Sequence, residues 1–489
     1  MSERFDMKLE SKLFRPKCLA SGNCQKTNTI IENTLKDYKF IIISVMQNIA
    51  DRYSRNPGYK WINTKFNSIT GVDFDDDPVK GLNTVYAWIQ GRGLEAAVVH
   101  IKWLRSHTAH VELVKEIETI AYNVLYHLRK IRQINNGRLF FSLTPKGLPY
   151  DPGKQELINL EKDAPYNFSD LFCSKGMYAA AVYFNDTDLI KESRTYCLDV
   201  IHAITNRHFV NDQQQYNGRN PSPTISDRYS HAPYSLALSI IILLLEHEKD
   251  KSIAQQGLDI LKYVISNHVN ISSRWSNLEN YALVEFIDGF GKPYVENEKI
   301  LVDPGHAIEF AGYGIKLCSI LNQLCFSEEH TLKQLEISLF EIIHVHFKKG
   351  FNTRFGGIYK SVDLITGDPI NSEMPWWSLP ETMKAALSTF DVVSSPCQQQ
   401  LLLDIYVQCS NSFLRNYVRT KPHLLIAQTR NELGKLIDAI PATPDNDPGY
   451  HTGMSLIDCY TILEKKLIPP VSYVKGAPNP ENIKPKTRS

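Results

Sequence analysis

The chain has no cysteine pair at the C-x-x-C spacing of a metal or redox site, and its nine cysteines are odd in number and scattered. That argues against a zinc ribbon or a disulfide-stapled scaffold and for free thiols in a reducing compartment. It also lacks an excess of either charge. Lys+Arg 54 against Asp+Glu 53 leaves a formal +1, too little to attract nucleic acid or an anionic membrane. No long apolar run is present: the longest, Leu236 to Leu245, is too short to span a bilayer. The first residues are charged and carry no apolar core of a secretory signal. Gly289-Phe290-Gly291-Lys292 has no helix after it and is no phosphate loop. His344 and His346 would point to different helix faces, which spoils them as a metal pair. These absences predict a cytoplasmic protein with no metal, no covalent intermediate, and no nucleic-acid or membrane partner.

What is present is a helical pattern. Hydrophobic residues make up 43% of the chain, enough for an ample core. Residues 1–35 read as a polar extension, 36–466 as one domain, and 467–489 as a proline-rich disordered tail. Within the domain about a dozen helical stretches alternate with polar connectors. Ser395-Pro396-Cys397-Gln398 has the order of a capping box, and Thr331 with Gln334 forms a similar one. Behind the latter, Leu332, Leu335, Leu339, Ile342 and Ile343 recur on one helix face. Short β-rich pieces, "RLFFSL", "ALVEFID" and "GGIYKSVD", interrupt the helices as hairpins. The prediction is an all-α fold, and the helix count fits paired helices closing into a ring.

One helix start stands out: Asp303-Pro304-Gly305-His306-Ala307-Ile308-Glu309. Asp303 suits the N-cap and Pro304 the first helical position, where a missing N–H costs nothing. His306 then sits in the first turn with Glu309 three residues on, along the same face. The positive end of the helix dipole should help keep His306 neutral and able to take a proton, while Glu309 should accept its second ring N–H. That pair reads as a general base with its orienting carboxylate.

Four more blocks accompany it in order: "NTVYAWIQGRGLEAA", "FGGIYKSVD", "PWWSLPETMKAAL" and "PGYHTGMSL". Together the five resemble the N-acylglucosamine 2-epimerase superfamily from about Asp73 to Lys465. The resemblance implies an (α/α)6 barrel, an inner ring of six helices inside an outer six, with short hairpins decorating one rim around a sugar-sized pocket. It implies a sugar 2-epimerase or aldose–ketose isomerase, with an N-acylglucosamine or N-acylmannosamine type of substrate preferred. It suggests no cofactor, with ATP as an effector to be tested, and, since dimers are common in the family, a homodimer.

Moving the proton at C2 of an open-chain sugar requires two acid/base groups and a partner for the enediolate oxygen. Histidine suits the first task and arginine the second. By resemblance His306 and His451 are the acid/base pair, Arg92 the oxyanion partner, and Glu309 the residue that orients His306. Glu381, Trp376, Trp377, His231 and Gln90 are carried as substrate-binding residues. Several departures bear on the substrate. Many members carry a further histidine on a middle helix, but that site falls on Tyr234-Ser235 here, with His231 four residues earlier. An arginine usual after the terminal histidine is replaced by Met454, and "PDNDPGYH" lacks the tryptophan of disaccharide epimerases, which argues against a cellobiose-type substrate. Two other readings stay open. One is a non-catalytic sugar- or protein-binding member of the same barrel, since mammalian members are also called renin-binding proteins. The other is a glycoside-cleaving barrel using Glu309 and Glu381.

Overall fold

Some helices of this chain bury a single stripe, and others bury nearly every residue. The computed structural model describes residues 24–159, 161, 163–213, 226–326, 329–419, 425–440 and 443–467. Among them are twelve α-helices: α1 (Cys24–Arg55), α2 (Ala87–His107), α3 (Val111–Ile134), α4 (Phe168–Phe184), α5 (Thr187–Thr205), α6 (Ala232–Glu248), α7 (Lys251–His268), α8 (Pro304–Gln323), α9 (Glu329–Gly350), α10 (Ser378–Phe390), α11 (Pro396–Asn416) and α12 (Ser455–Leu467). α3 is amphipathic, burying Leu113, Ile117, Ile120, Val124, Leu128 and Ile131 on one stripe, as a helix with one wet face must. α4 is buried at every residue from Phe168 to Ala181, as a helix packed on all sides must be.

The even-numbered helices form the inner ring: α2 packs on α4, α4 on α6, α6 on α8, α8 on α10 and α10 on α12. A π-helical turn, Tyr450–Met454, leads into α12 and packs back on α2, closing the circle. The odd-numbered helices lie outside, α3 against α2, α5 against α4, α7 against α6, α9 against α8, α11 against α10 and α1 against α12. The result is an (α/α)6 barrel. Inner neighbours approach closely where glycine permits. A Cβ on Gly176 would fall 2.2 Å from the Gly91 carbonyl oxygen, and one on Gly91 would meet the Phe172 backbone at 2.5 Å. This contact sets α2 against α4 one residue before Arg92.

Short strands precede five inner helices: Val85–Tyr86 before α2, Tyr166–Asn167 before α4, Tyr229–Ser230 before α6, Leu301–Val302 before α8 and Met374–Pro375 before α10. They therefore gather at one rim. There Tyr229–Ser230 pairs antiparallel with Phe286–Ile287, and Leu301–Val302 pairs with Ser361–Asp363. The ring is tied shut by groups far apart in sequence. Lys65 Nζ lies 2.8 Å from Asp445 Oδ1, both fully buried, and Asn446 Nδ2 donates to the Thr64 carbonyl at 3.0 Å.

Some local expectations change. α1 begins at Cys24, so residues 24–35 belong to the first helix and not to an extension; Ile31 and Leu35 are in the core. α9 begins at Glu329, which puts Thr331 inside the helix and removes it as a cap. Ser395 does hold the N-cap with Pro396 next, but its side chain makes no capping bond. His346 is a buried core histidine, bonded to the Ile342 carbonyl at 2.8 Å, and burial pushes it down to about 4. The proline-rich tail beyond Leu467 lies outside the described residues. Among the described residues no helix is long and apolar enough to cross a membrane.

Candidate active site

The rim at the N-termini of the inner helices opens into a cavity of about 800 Å³. His306 stands on its wall in the first turn of α8. Asp303 caps that helix as expected, accepting from the Gly305 N–H at 2.9 Å and the His306 N–H at 3.3 Å. The carboxylate that holds the ring is a different one from that expected. His306 Nδ1 lies 3.0 Å from Glu285 Oε1, while Asp303 Oδ2 is at 3.6 Å and is itself bonded to Lys360 Nζ at 2.6 Å. Glu309 has turned away and accepts from the Tyr313 hydroxyl at 3.0 Å. Helical spacing brings i and i+3 to one face but not into contact, and here the contact crosses from the strand after Glu285. The carboxylates, and not the helix dipole, set the direction in which the His306 ring is shifted. Burial pushes its pKa down, but the Asp303 and Glu285 carboxylates outweigh this and raise it.

His451 sits in the π-helical turn, and its Nδ1 lies 3.0 Å from Glu381 Oε1. Ser455 donates to the same oxygen at 3.1 Å, and Lys384 Nζ is 2.5 Å from Oε2. Burial alone would raise Glu381, yet Lys384 and His451 bring it down to about 2, so it stays ionised. The two histidines are thus built alike. Each gives Nδ1 to a buried carboxylate, which leaves Nε2 as the nitrogen open to a ligand. Trp377 touches both rings, at 5.3 Å from His306 and 5.4 Å from His451 between centroids. Trp376 is anchored by its indole N–H to Thr452 Oγ1 at 3.0 Å. Both indoles border the cavity and are almost fully buried.

Arg92 enters from α2. Its guanidinium lies 4.0 Å over Phe172 and 5.5 Å from both Trp88 and Tyr450. Nε is buried without an acceptor among the described residues, and neither Glu95 nor Asp77 pairs with it. Burial lowers its pKa from the usual arginine value while Tyr450 and Glu309 push it back up. Glu95 pairs instead with Lys175 at 3.0 Å, deep between α2 and α4, and Lys175 donates to the Tyr450 hydroxyl at 3.0 Å.

One expected substrate contact, Gln90, is corrected, and a second, His231, borders the cavity although it is fully buried. Gln90 is fully buried and spends its amide on the backbone of Ile62, accepting from N–H at 2.9 Å and donating to the carbonyl at 3.1 Å. It is a strut. His231 is fully buried at the start of α6, with Nε2 3.5 Å from Glu285 Oε2, so it bears on the site through that carboxylate. Glu285 itself, Lys360 and Lys384 were missed. The one signal for Glu285 was an acid inside the apolar run "ALVEFI".

Glu309, Glu381 and His451 each bring one ligand atom within 4.8 Å of the others, a spacing at which a cation could be held. The Lys384 ammonium on Glu381, and the Arg92 guanidinium near enough to Glu309 to feel its charge, supply positive charge there already. The set as built suits proton transfer: two oriented imidazoles, an aromatic plate and a desolvated guanidinium around one cavity.

Residues 108–442 match the family model described as N-acylglucosamine 2-epimerase. Solved structures share the fold at low identity. A sugar epimerase from a ruminal bacterium superposes with TM-score 0.63 at 11% identity, covering 89% of this chain and 98% of its own. Cellobiose 2-epimerase from Spirochaeta thermophila gives 0.60 at 12%, covering 86% and 98%. A D-mannose isomerase gives 0.58 at 13%, covering 86% and 97%. No curated protein sequence matches the chain.

Proposed function

The chain belongs to the N-acylglucosamine 2-epimerase family, and we propose that it is a carbohydrate 2-epimerase or aldose–ketose isomerase with His306 and His451 as its proton-transfer pair. The observation that carries this is the twin arrangement His306–Glu285 and His451–Glu381, each at 3.0 Å, joined by Trp377 in one cavity with Arg92. In the open-chain sugar one imidazole Nε2 takes the C2 proton. The C–H electron pair moves into the C1–C2 bond and on to the carbonyl oxygen. Arg92 stabilises the resulting oxyanion, which forms where little water competes. Protonation at C2 from the opposite face by the second histidine gives the epimer; protonation at C1, with the O2 hydroxyl proton passed to O1, gives the ketose. Glu285 and Glu381 hold each tautomer and stabilise each imidazolium as it forms.

An N-acylhexosamine is the preferred substrate, because "WIQGRG" and "PGHAIE" resemble the N-acylglucosamine epimerases more than the mannose isomerases. The glycoside-cleaving alternative fits less well. Glu381 is 2% exposed with one oxygen on His451 and Ser455 and the other on Lys384, so neither oxygen is free for a glycosidic bond.

The test is proton NMR in D2O with N-acetylglucosamine, N-acetylmannosamine, mannose, glucose and cellobiose, each with and without ATP. Loss of the H2 signal with a new epimer or ketose is the expected result. His306→Ala and His451→Ala should each lower turnover by at least about 100-fold, the usual range for positioned acid/base groups, with melting temperature nearly unchanged. Near-normal turnover in either variant would remove that histidine from the mechanism. No exchange with any sugar would leave a barrel that binds without reacting.

A further inference from the structure

Glu285 serves two imidazoles at once. Oε1 faces His306 Nδ1 at 3.0 Å, and Oε2 faces His231 Nε2 at 3.5 Å while also accepting the Asp303 backbone N–H at 3.1 Å. Beyond it, His231 Nδ1 lies 2.8 Å from Ser235 Oγ, on the next turn of α6. Nε2 makes no hydrogen bond among the described residues, and Glu285 Oε2 at 3.5 Å is the polar atom it faces. His231 is fully buried, and its ring packs against His268 at 5.7 Å and Phe310 at 6.3 Å. The Ser235 bond and this packing hold the buried ring in one orientation, with Nε2 aimed at the carboxylate.

We propose that His231 is a positioning residue: by holding the far oxygen of Glu285 it aims the near oxygen at His306 and fixes the tautomer of that ring. The inference rests on the proton-transfer role of His306, and it moves His231 from the substrate to the support behind the base. Ser235 extends the line, so the chain Ser235–His231–Glu285–His306 runs from α6 across the rim strands to α8. A second role follows. An imidazole nitrogen 3.5 Å from Oε2 competes for the charge of the carboxylate, so His231 moderates the pull that Glu285 exerts on an imidazolium at His306.

The other charged or titratable groups facing this line are few. Asp303 and Lys360 flank His306, and the His268 and His346 rings lie behind His231. Burial lowers His268 to about 3 and His346 to about 4, so both stay neutral at working pH. Asp303 and Lys360 are bonded to each other at 2.6 Å and do not depend on His231.

The experiment follows the His306 ring by NMR titration, assigned by its loss in His306→Ala, alongside steady-state kinetics. His231→Phe keeps a ring but removes the donor. It should raise the His306 titration midpoint by about half a unit, since one lost polar contact to Oε2 is worth less than a full charge. It should also lower kcat about tenfold while leaving KM near its original value, because a carboxylate no longer fixed holds the ring less well. His231→Gln, which can restore a donor near the Nε2 position, should recover most of both effects. Ser235→Ala should shift the midpoint in the same direction by less, and it carries the test should His231→Phe fail to fold. An unmoved midpoint in His231→Phe, or in Ser235→Ala where that variant is lost, would overturn the proposal. So would a change confined to KM, which would mark a substrate contact. A shifted midpoint in a protein that exchanges no sugar proton would uphold the positioning role and reject the epimerase reading, so the two fail separately.

Discussion

At the scale of single residues, charge placement decides how His306 behaves. Its raised pKa comes from two carboxylates, and this has a definite sign. In the reaction direction that needs neutral His306, the ascending limb of kcat/KM should lie above about 6.5, the ordinary histidine value. Glu285→Gln removes the nearer anion, and the limb should move down in pH. A limb that stays put would mean Asp303 alone sets it. The same shift bears on folding: it contributes stability that is fully present below about 6.5 and lost as pH rises through the raised value. The sequence made much of this site readable because its signals were local. Asp303, Pro304 and His306 form a helix start, and Glu381 follows two tryptophans. Glu285 was unreadable because its partner lies 21 residues away and is met only after the strand Phe286–Ile287 pairs with Tyr229–Ser230. Gln90 misled because a polar residue beside Arg92 can face the ligand or the backbone, and only tertiary packing against Ile62 decides.

At the scale of elements, the two helix types were visible as pattern. The one-sided stripe of Leu332, Leu335 and Leu339 belongs to an outer helix, and the apolar run of α6 to an inner one. Which inner helices touch was not visible, because an apolar face carries no address. Glycine supplies part of it. Gly176→Ala must force α4 away from the Gly91 carbonyl, at a cost of about 1–3 kcal/mol or more, and must shift Arg92 with it. The expected outcome is a lower melting temperature and a disproportionate loss of kcat. Gly58→Ala, with nothing within 4 Å of the new Cβ, should change stability by no more than about 0.5 kcal/mol. Equal effects from the two would show that the α2–α4 contact is slack.

At the scale of the whole molecule, closure depends on pairs that join opposite ends of the chain. Lys65 and Asp445 are 1% and 0% exposed, so Lys65→Met would strand a buried carboxylate. The loss should be about 3–5 kcal/mol, with much of it recovered in Lys65→Met/Asp445→Leu, where no charge remains. Calorimetry on the three proteins checks this, and a single variant as stable as the parent would show that the pair is wetter than it looks. The ring has a further consequence for how the protein comes into being. Arg92 and α2 are synthesised early, but the inner surface of α2 is covered only when the turn carrying His451 arrives, some 360 residues later in the sequence. Until then the nascent barrel is an open arc with an apolar edge, a state prone to sticking to its neighbours. Catalytic competence and protection from aggregation are therefore reached at the same moment of translation, when the last inner helix seats.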